Sequence, residues 1–335
     1  MNKNILLPVK IPFFFKPFMV VINKKILFLD SVHIALKDEL KKLGCHCELD
    51  EKSSKEEIEK KISDYDGIVI RSRIKIDAAL IDKATKLKFI ARAGAGMENI
   101  DAEYATKKKI KCLNAPEGNR DAVGEFALGM LLSLLNNMNR ADREVREGKW
   151  LREENRGTEL MFKTVAIIGY GNMGTAFARR LTGFSVMALA YDKYVKNFGD
   201  DFIIEANMDS IFEEAEVVSL HVPLTKETEY MVNDEFINRF KNPFYLINTS
   251  RGKLVNTDDL VKNMKSGKVL GACLDVLEYE SSSLEKLESE NLPSSLKYLF
   301  ESDKVILSPH IAGWTFESNQ RISLVLAEKI AKILK

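Results

Sequence analysis

Val165-Ala-Ile-Ile-Gly169-Tyr170-Gly171-Asn172-Met173-Gly174 decides how this chain is read. A short β-branched run is broken by glycines and passes into Thr175-Ala-Phe-Ala-Arg-Arg-Leu181, a good helix former, so the order is strand, tight turn, helix. In a βαβ unit of this kind Gly169 permits the turn, Gly171 lets the backbone approach a pyrophosphate, and Gly174 lets the helix pack closely on the strand. The exposed amides and the positive end of the helix dipole then face the phosphates. Alone, a G-x-G-x-x-G run is a weak signal, because any glycine-rich strand-to-helix turn produces it. Here a second apolar run, Val186 to Tyr191, follows the helix and ends in Asp192, where a carboxylate that binds an adenosine ribose is expected. Its charge would accept hydrogen bonds from the ribose hydroxyls and repel a 2′-phosphate, which favours NAD over NADP. Lys193 and Lys196 read as a solvated strand end.

Around this motif, 335 residues are enough for two domains, each with its own core. A net charge of +1 with both signs intermixed gives no basic field for nucleic acid and no charged tail. Four scattered cysteines (Cys45, Cys47, Cys112 and Cys273) suit a reducing cytoplasm better than a disulfide framework. Cys45-His46-Cys47 reads as strand, and no metal site is expected. Residues 1–24 are apolar but interrupted by lysines and prolines, too short for a spanning helix, and are read as a poorly ordered extension outside the fold. No membrane association is expected.

From Lys25 onward short apolar runs alternate with helical periodicity, which argues for parallel sheets covered on both faces. Strands are expected at Ile26 to Leu29, Cys45 to Leu49, Ile68 to Ile70, Leu87 to Ala91 and Ile110 to Leu113. In such sheets ligands sit beyond the carboxyl ends of the strands, which singles out Arg71, Ser72 and Gly94 to Gly96. Asn114 to Asn119 reads as a turn-rich loop, followed by a long helix from Asp121 to Asn139, and the domain boundary is placed near the start of that helix. In the second half, strands end at His221, Asn248, Leu274 and Leu307, so polar residues gather at one end of one sheet.

Two of the four histidines, His221 and His310, follow strands in the half that carries the glycine motif. Hydride transfer to a carbonyl carbon needs a partner that moves a proton at the oxygen, and imidazole titrates in the useful range. An anionic 2-oxo acid needs a fixed cation, which Arg251 could supply in bidentate geometry. A carboxylate beside the imidazole would orient it, and Glu280 is a candidate.

At this point the chain resembles the D-2-hydroxyacid dehydrogenase family. The resemblance is carried by Arg92-Ala-Gly94-Ala95-Gly96-Met-Glu-Asn99-Ile-Asp101, the glycine motif, His221-Val222-Pro223-Leu-Thr225, Ile247-Asn-Thr249-Ser250-Arg251-Gly252, Leu274-Asp275-Val-Leu-Glu-Tyr-Glu280 and Ser308-Pro-His310-Ile-Ala-Gly313-Trp314. It covers residue 25 to the end. It implies an α/β fold of two doubly wound parallel-sheet domains. A flavodoxin-like substrate domain would be formed by 25–119 and 312–335, and a Rossmann NAD-binding domain by 120–311.

By motif position, Arg251 would bind the substrate, Glu280 would pair with His310, and His310 would be the acid/base. Arg71, Ser72, Ala95, Gly96 and Asn119 would line the substrate side. The cofactor is expected to meet residues 169–174, Asp192, His221, Val222, Pro223, Thr228, Thr249, Ser250, Asp275, His310 and Gly313. His221 is assigned no acid/base role. The resemblance further implies a cytoplasmic homodimer built around the long helix.

Around His310 to Trp314 the chain looks most like 3-phosphoglycerate dehydrogenase-like members, which would place it in serine biosynthesis. Arg71, Arg73, Lys75 and Arg92 could add the positive charge a phosphorylated acid needs. A hydroxypyruvate or glyoxylate reductase, or a non-catalytic NAD-sensing binding protein of the same fold, are the alternatives. Three departures from the family pattern stand out: Ser281 in place of proline after Glu280, opening a charged insertion to Pro293; Phe162 where glycine is common; and Gly124 where alanine is usual.

Overall fold

The computed structural model describes residues 23–280 and 292–334. The expected extension, through residue 22, and residues 281–291 of the insertion lie outside that range. Among the described residues, twelve strands form two all-parallel sheets. The first contains β1 (Lys25–Phe28), β2 (His46–Leu49), β3 (Gly67–Ile70), β4 (Phe89–Arg92) and β5 (Lys111–Leu113), in the order β2-β1-β3-β4-β5. The second contains β6 (Thr164–Ile168), β7 (Met187–Tyr191), β8 (Ile203–Glu205), β9 (Val217–Leu220), β10 (Phe244–Asn248), β11 (Val269–Leu274) and β12 (Val305–Leu307), in the order β12-β11-β10-β9-β6-β7-β8.

Both orders are doubly wound. The first is the flavodoxin-like arrangement, and the second is the Rossmann order extended by one strand. Strands such as β3, β6 and β9 are buried along their whole length, as expected of sheets covered by helices on both faces. In the second sheet the strand order reverses between β6 and β9, so the crevice beyond their carboxyl ends lies between the glycine motif and His221.

The long helix departs from expectation at both ends. It runs Pro116–Leu135, so residues 116–119 are its first turn and not a loop; proline fits there because its fixed φ is helical and its missing N–H has no partner to lose. It stops before Asn137, whose φ of +52° breaks it, and a separate helix, Met138–Arg146, follows. Gly124 stands where this helix crosses the motif helix Asn172–Leu181: a Cβ there would lie 2.8 Å from the backbone of Ala176. Phe162 occupies a φ of +63°, which accounts for the family's glycine at that turn. β8 and the helix Ser294–Glu301 have no counterpart in the sequence reading, both being too short to show a period.

The C-terminal helix Phe316–Leu334 returns to the first sheet. Leu326 and Ile330 share a buried core with Ile26, Phe28, Leu36 and Phe89. No helix among the described residues is long and apolar enough to cross a membrane, and none of them forms a cluster of three potential metal ligands.

Candidate active site

The nucleotide edge is built mostly from backbone. Gly169 has a φ of +95°, and a Cβ on Gly174 would sit 2.0 Å from the Gly169 carbonyl oxygen, so no larger residue fits the turn. A Cβ on Gly171 would meet nothing within 4 Å, which leaves open space where a pyrophosphate would approach. Asn172 and Met173 open the motif helix behind it, and amides in the first turn of a helix have no acceptor within it. Tyr170 stacks on Phe198 at 4.4 Å.

Asp192 sits at the end of β7. Its carboxylate accepts from the amides of Tyr170, Tyr194 and Val195 at 2.8, 2.8 and 2.9 Å. Burial pushes its pKa up, but those amides, aided by Lys196, outweigh burial and hold it below the usual range. The group is thus a fixed anion beside the glycine turn. Open backbone, helix amides and a fixed carboxylate together fit a dinucleotide, with residues 169–174 for the pyrophosphate and Asp192 for the ribose.

Glu280 and His310 come together across the ends of β11 and β12. Oε2 of Glu280 lies 2.8 Å from Nδ1 of His310, and its Oε1 accepts from the Leu277 amide. An acceptor carboxylate fixes the proton on Nδ1 and leaves Nε2 as the nitrogen able to exchange one. His310 holds a φ of +57°, a conformation that few side chains adopt and that needs support.

That support is Asp275. Its Oδ1 accepts from the Ser308 hydroxyl at 2.6 Å and the Ile311 amide at 2.8 Å, its Oδ2 accepts from the Ala312 amide at 2.9 Å, and its backbone carbonyl accepts from the His310 amide at 2.7 Å. Asp275, which is expected to meet the cofactor, has both carboxylate oxygens engaged in shaping the histidine loop. Burial keeps its pKa above the usual range in spite of those donors.

Arg251 reaches across to the first sheet. Its Nη1 donates to the Ser250 carbonyl and its Nε to Glu98 Oε1, both at 2.6 Å, and its Nη2 lies over Gly96, 2.3 Å from where a Cβ would be. Arg92, beneath the same loop, has a buried Nε with no partner among the described residues, and burial lowers its pKa to about 10. Arg71 stacks on Trp314 at 4.1 Å, and its loop is held by Asp30, which accepts from the Arg71 amide at 2.6 Å, and by Asn99. Ser72 follows Arg71 and is half-buried. Asn119 packs under Gly313, its Oδ1 buried without a partner among the described residues. Ala95 lends its carbonyl to Asn114.

The two expected histidines part company. His221 is 9% exposed; its Nε2 meets Ser219 at 2.8 Å, its ring packs on Phe177, and burial lowers its pKa to about 3. Only its backbone, against Gly169, borders the crevice. Val222 also touches the Gly169 turn, and Thr228 bonds the Pro223 carbonyl at 2.6 Å, shaping that loop. Thr249 and Ser250 are buried at the end of β10, Ser250 bonded to the Leu220 carbonyl.

Glu98 and Trp314 lie inside the motifs that carry the resemblance, yet their position there implies no role; Glu98 meets a partner 153 residues away, which no local pattern reports. Arg73, counted as a possible substrate cation, is instead committed to the carbonyls of Leu29, Ser53 and Asp50. Among the lysines beside Asp192, Lys193 pairs with Glu227, and Lys196 caps the Asp192 carbonyl.

Comparison with known proteins bears on the family and the fold. The family model for the NAD binding domain of D-isomer specific 2-hydroxyacid dehydrogenases matches residues 128–312. The hydroxypyruvate reductase of Thermotoga maritima is 37% identical over 298 residues, covering 89% of this chain and 92% of its own length. The D-3-phosphoglycerate dehydrogenase of Archaeoglobus fulgidus is 34% identical over 93% of this chain but 57% of its own length. In structure, the D-lactate dehydrogenase of Aquifex aeolicus, solved with NAD and lactic acid, superposes with a TM-score of 0.77 at 29% identity, covering 92% of this chain and 94% of that one.

Proposed function

The chain belongs to the D-isomer specific 2-hydroxyacid dehydrogenase family, and from that premise we propose that its substrate is a short 2-oxo acid of the hydroxypyruvate or glyoxylate kind, reduced to the 2-hydroxy acid. The enzyme is NAD-dependent, and NAD(H) supplies or accepts the hydride. His310 moves the proton at the substrate oxygen through Nε2, while Glu280 holds the ring by Nδ1. Arg251 and the backbone around Ala95 and Gly96 hold the carboxylate. The carrying observation is the 2.8 Å contact of Glu280 with His310 at the end of the sheet that bears the glycine motif.

For the substrate, the positive charge beside Gly96 is smaller than the sequence suggests: Arg73 serves the backbone, and Glu98 offsets Arg251. That favours a small monoanion. A phosphorylated acid such as 3-phosphohydroxypyruvate is the second reading, favoured by Arg71 and by the unpartnered Nε of Arg92. Following NADH oxidation with hydroxypyruvate, glyoxylate, pyruvate and 3-phosphohydroxypyruvate separates them: turnover confined to the phosphorylated acid would remove the first reading, and none at all would remove both.

The same reading divides the molecule into a substrate unit of 25–119 with 312–335 and an NAD unit of 120–311, and locates it in the cytoplasm. It also includes a homodimer. Helix Met138–Arg146 buries none of its residues, and although most of its side chains are charged or polar, Met138, Val145 and, beyond it, Trp150 are each more than half exposed, apolar groups that a second copy could cover. Sedimentation should give a dimer that Trp150→Glu weakens; a wild-type monomer would refute it.

A further inference from the structure

Glu98 is an acid placed against two of the groups read as taking the substrate's carboxylate, Arg251 and the Gly96 backbone. One of its oxygens accepts from Arg251 Nε at 2.6 Å; the other lies over Gly96, 2.1 Å from where a Cβ on that residue would be. Arg92 lies close enough to act on its charge. Its carboxylate therefore uses a guanidinium and borders a glycine backbone that a 2-oxo acid would also use. The two residues come from different sheets, Glu98 from the loop after β4 and Arg251 from the loop after β10. Their side chains are 52% and 27% exposed, so the pair sits at the rim of the crevice and can open to solvent without unpacking a core. Burial raises the Glu98 pKa, but Arg251 outweighs it and keeps the group ionised, a permanent rival for the guanidinium.

We propose that Glu98 is an internal competitor for Arg251: its carboxylate must yield the guanidinium before the carboxylate of a 2-oxo acid binds, and it thereby sets substrate affinity. This rests on the reading that Arg251 and Gly96 take the substrate's carboxylate. A site occupied by its own chain binds with an apparent affinity reduced by the fraction of molecules in which the competitor has left. The reverse possibility is that Glu98 holds Arg251 in its working orientation, in which case losing it would weaken binding.

Oxamate decides between them, because it presents a carboxylate beside a carbonyl and cannot be reduced in place of a 2-oxo acid. Calorimetric titration of oxamate into the NADH-loaded protein is expected to show Glu98→Gln binding about 5- to 10-fold tighter than wild type, and Glu98→Asp, charged but one methylene shorter, an intermediate gain. With a turned-over acid the gain should be carried by KM. Weaker or equal oxamate binding by Glu98→Gln overturns the competition and leaves Glu98 a positioning residue for Arg251. Oxamate binding to neither protein overturns it as well. Turnover in the substrate screen judges the dehydrogenase reading separately, so the two failures are distinguishable.

Discussion

The two sides of the crevice are built from different materials. On the nucleotide side, Gly169 to Gly174 and Asp192 lie within one βαβ unit, and what they offer is backbone amides and one carboxylate fixed by three more amides. On the acid side, Glu98, Arg251, Glu280 and His310 come from four loops in two sheets, and what they offer is side chains that hold one another. The first is rigid because a short sequence can close it. The second depends on where two sheets and several loops come to rest, and a hydrogen-bonded carboxylate such as Asp275 is needed to keep His310 in its left-handed turn.

That contrast can be broken, and the largest test is on the acid side. His310→Gln should lower kcat by roughly 10²- to 10⁴-fold, the usual weight of a general acid, while fluorescence titration finds NADH binding nearly intact. A comparable loss of NADH binding would mean that the two sides are not separable. On the nucleotide side, Gly174→Ala brings a methyl against the Gly169 carbonyl. Denaturant unfolding should show a loss of about 1–3 kcal/mol, the typical cost of overpacking, together with weaker NAD binding.

A third test sharpens the difference between the two imidazoles. His221 has a folded pKa of about 3, below the value of about 6.5 for an unfolded chain. The unfolded state therefore takes up the proton first, so the stability that neutral His221 contributes is complete above pH 6.5 and is lost as pH falls toward 3. Wild type should lose up to about 2 kcal/mol more than His221→Gln between pH 7 and pH 5; parallel curves would mean that the ring can be charged in place. The smallest effect is expected from Asp192→Asn, which keeps an acceptor but removes the charge. NAD binding should weaken about tenfold, or ~1.4 kcal/mol, and NADP should gain relative to NAD.

What could be read from the chain follows the same division. The glycine run, the strand before it and Asp192 spell out their own geometry, because a φ of +95° and a 2.0 Å approach admit only glycine. His310, Arg251 and Glu280 could be singled out by residue type and by their position after strands, and the fold does bring Glu280 to His310. Other features are not local. The partners of the Asp275 carboxylate stand 33 to 37 residues on, where no nearby pattern reports them. Arg73 looked like a substrate cation but closes three backbone carbonyls. The helix expected from Asp121 begins at Pro116 and breaks at Asn137, because a proline in the first turn and a left-handed asparagine are punctuation that periodicity does not register.

The sequence by itself determined two parallel α/β sheets and the glycine turn with Asp192 beside it, since each rests on hydrophobic period, glycine conformation and charge within a few dozen residues. Only the tertiary structure decided that His221 is buried on Phe177 and Ser219, that the Asp275 carboxylate holds the loop of His310, and that Glu98 lies against Arg251. Those outcomes depend on desolvation and on hydrogen bonds between residues far apart in the chain, and burial is a property of the packed molecule that no single stretch carries.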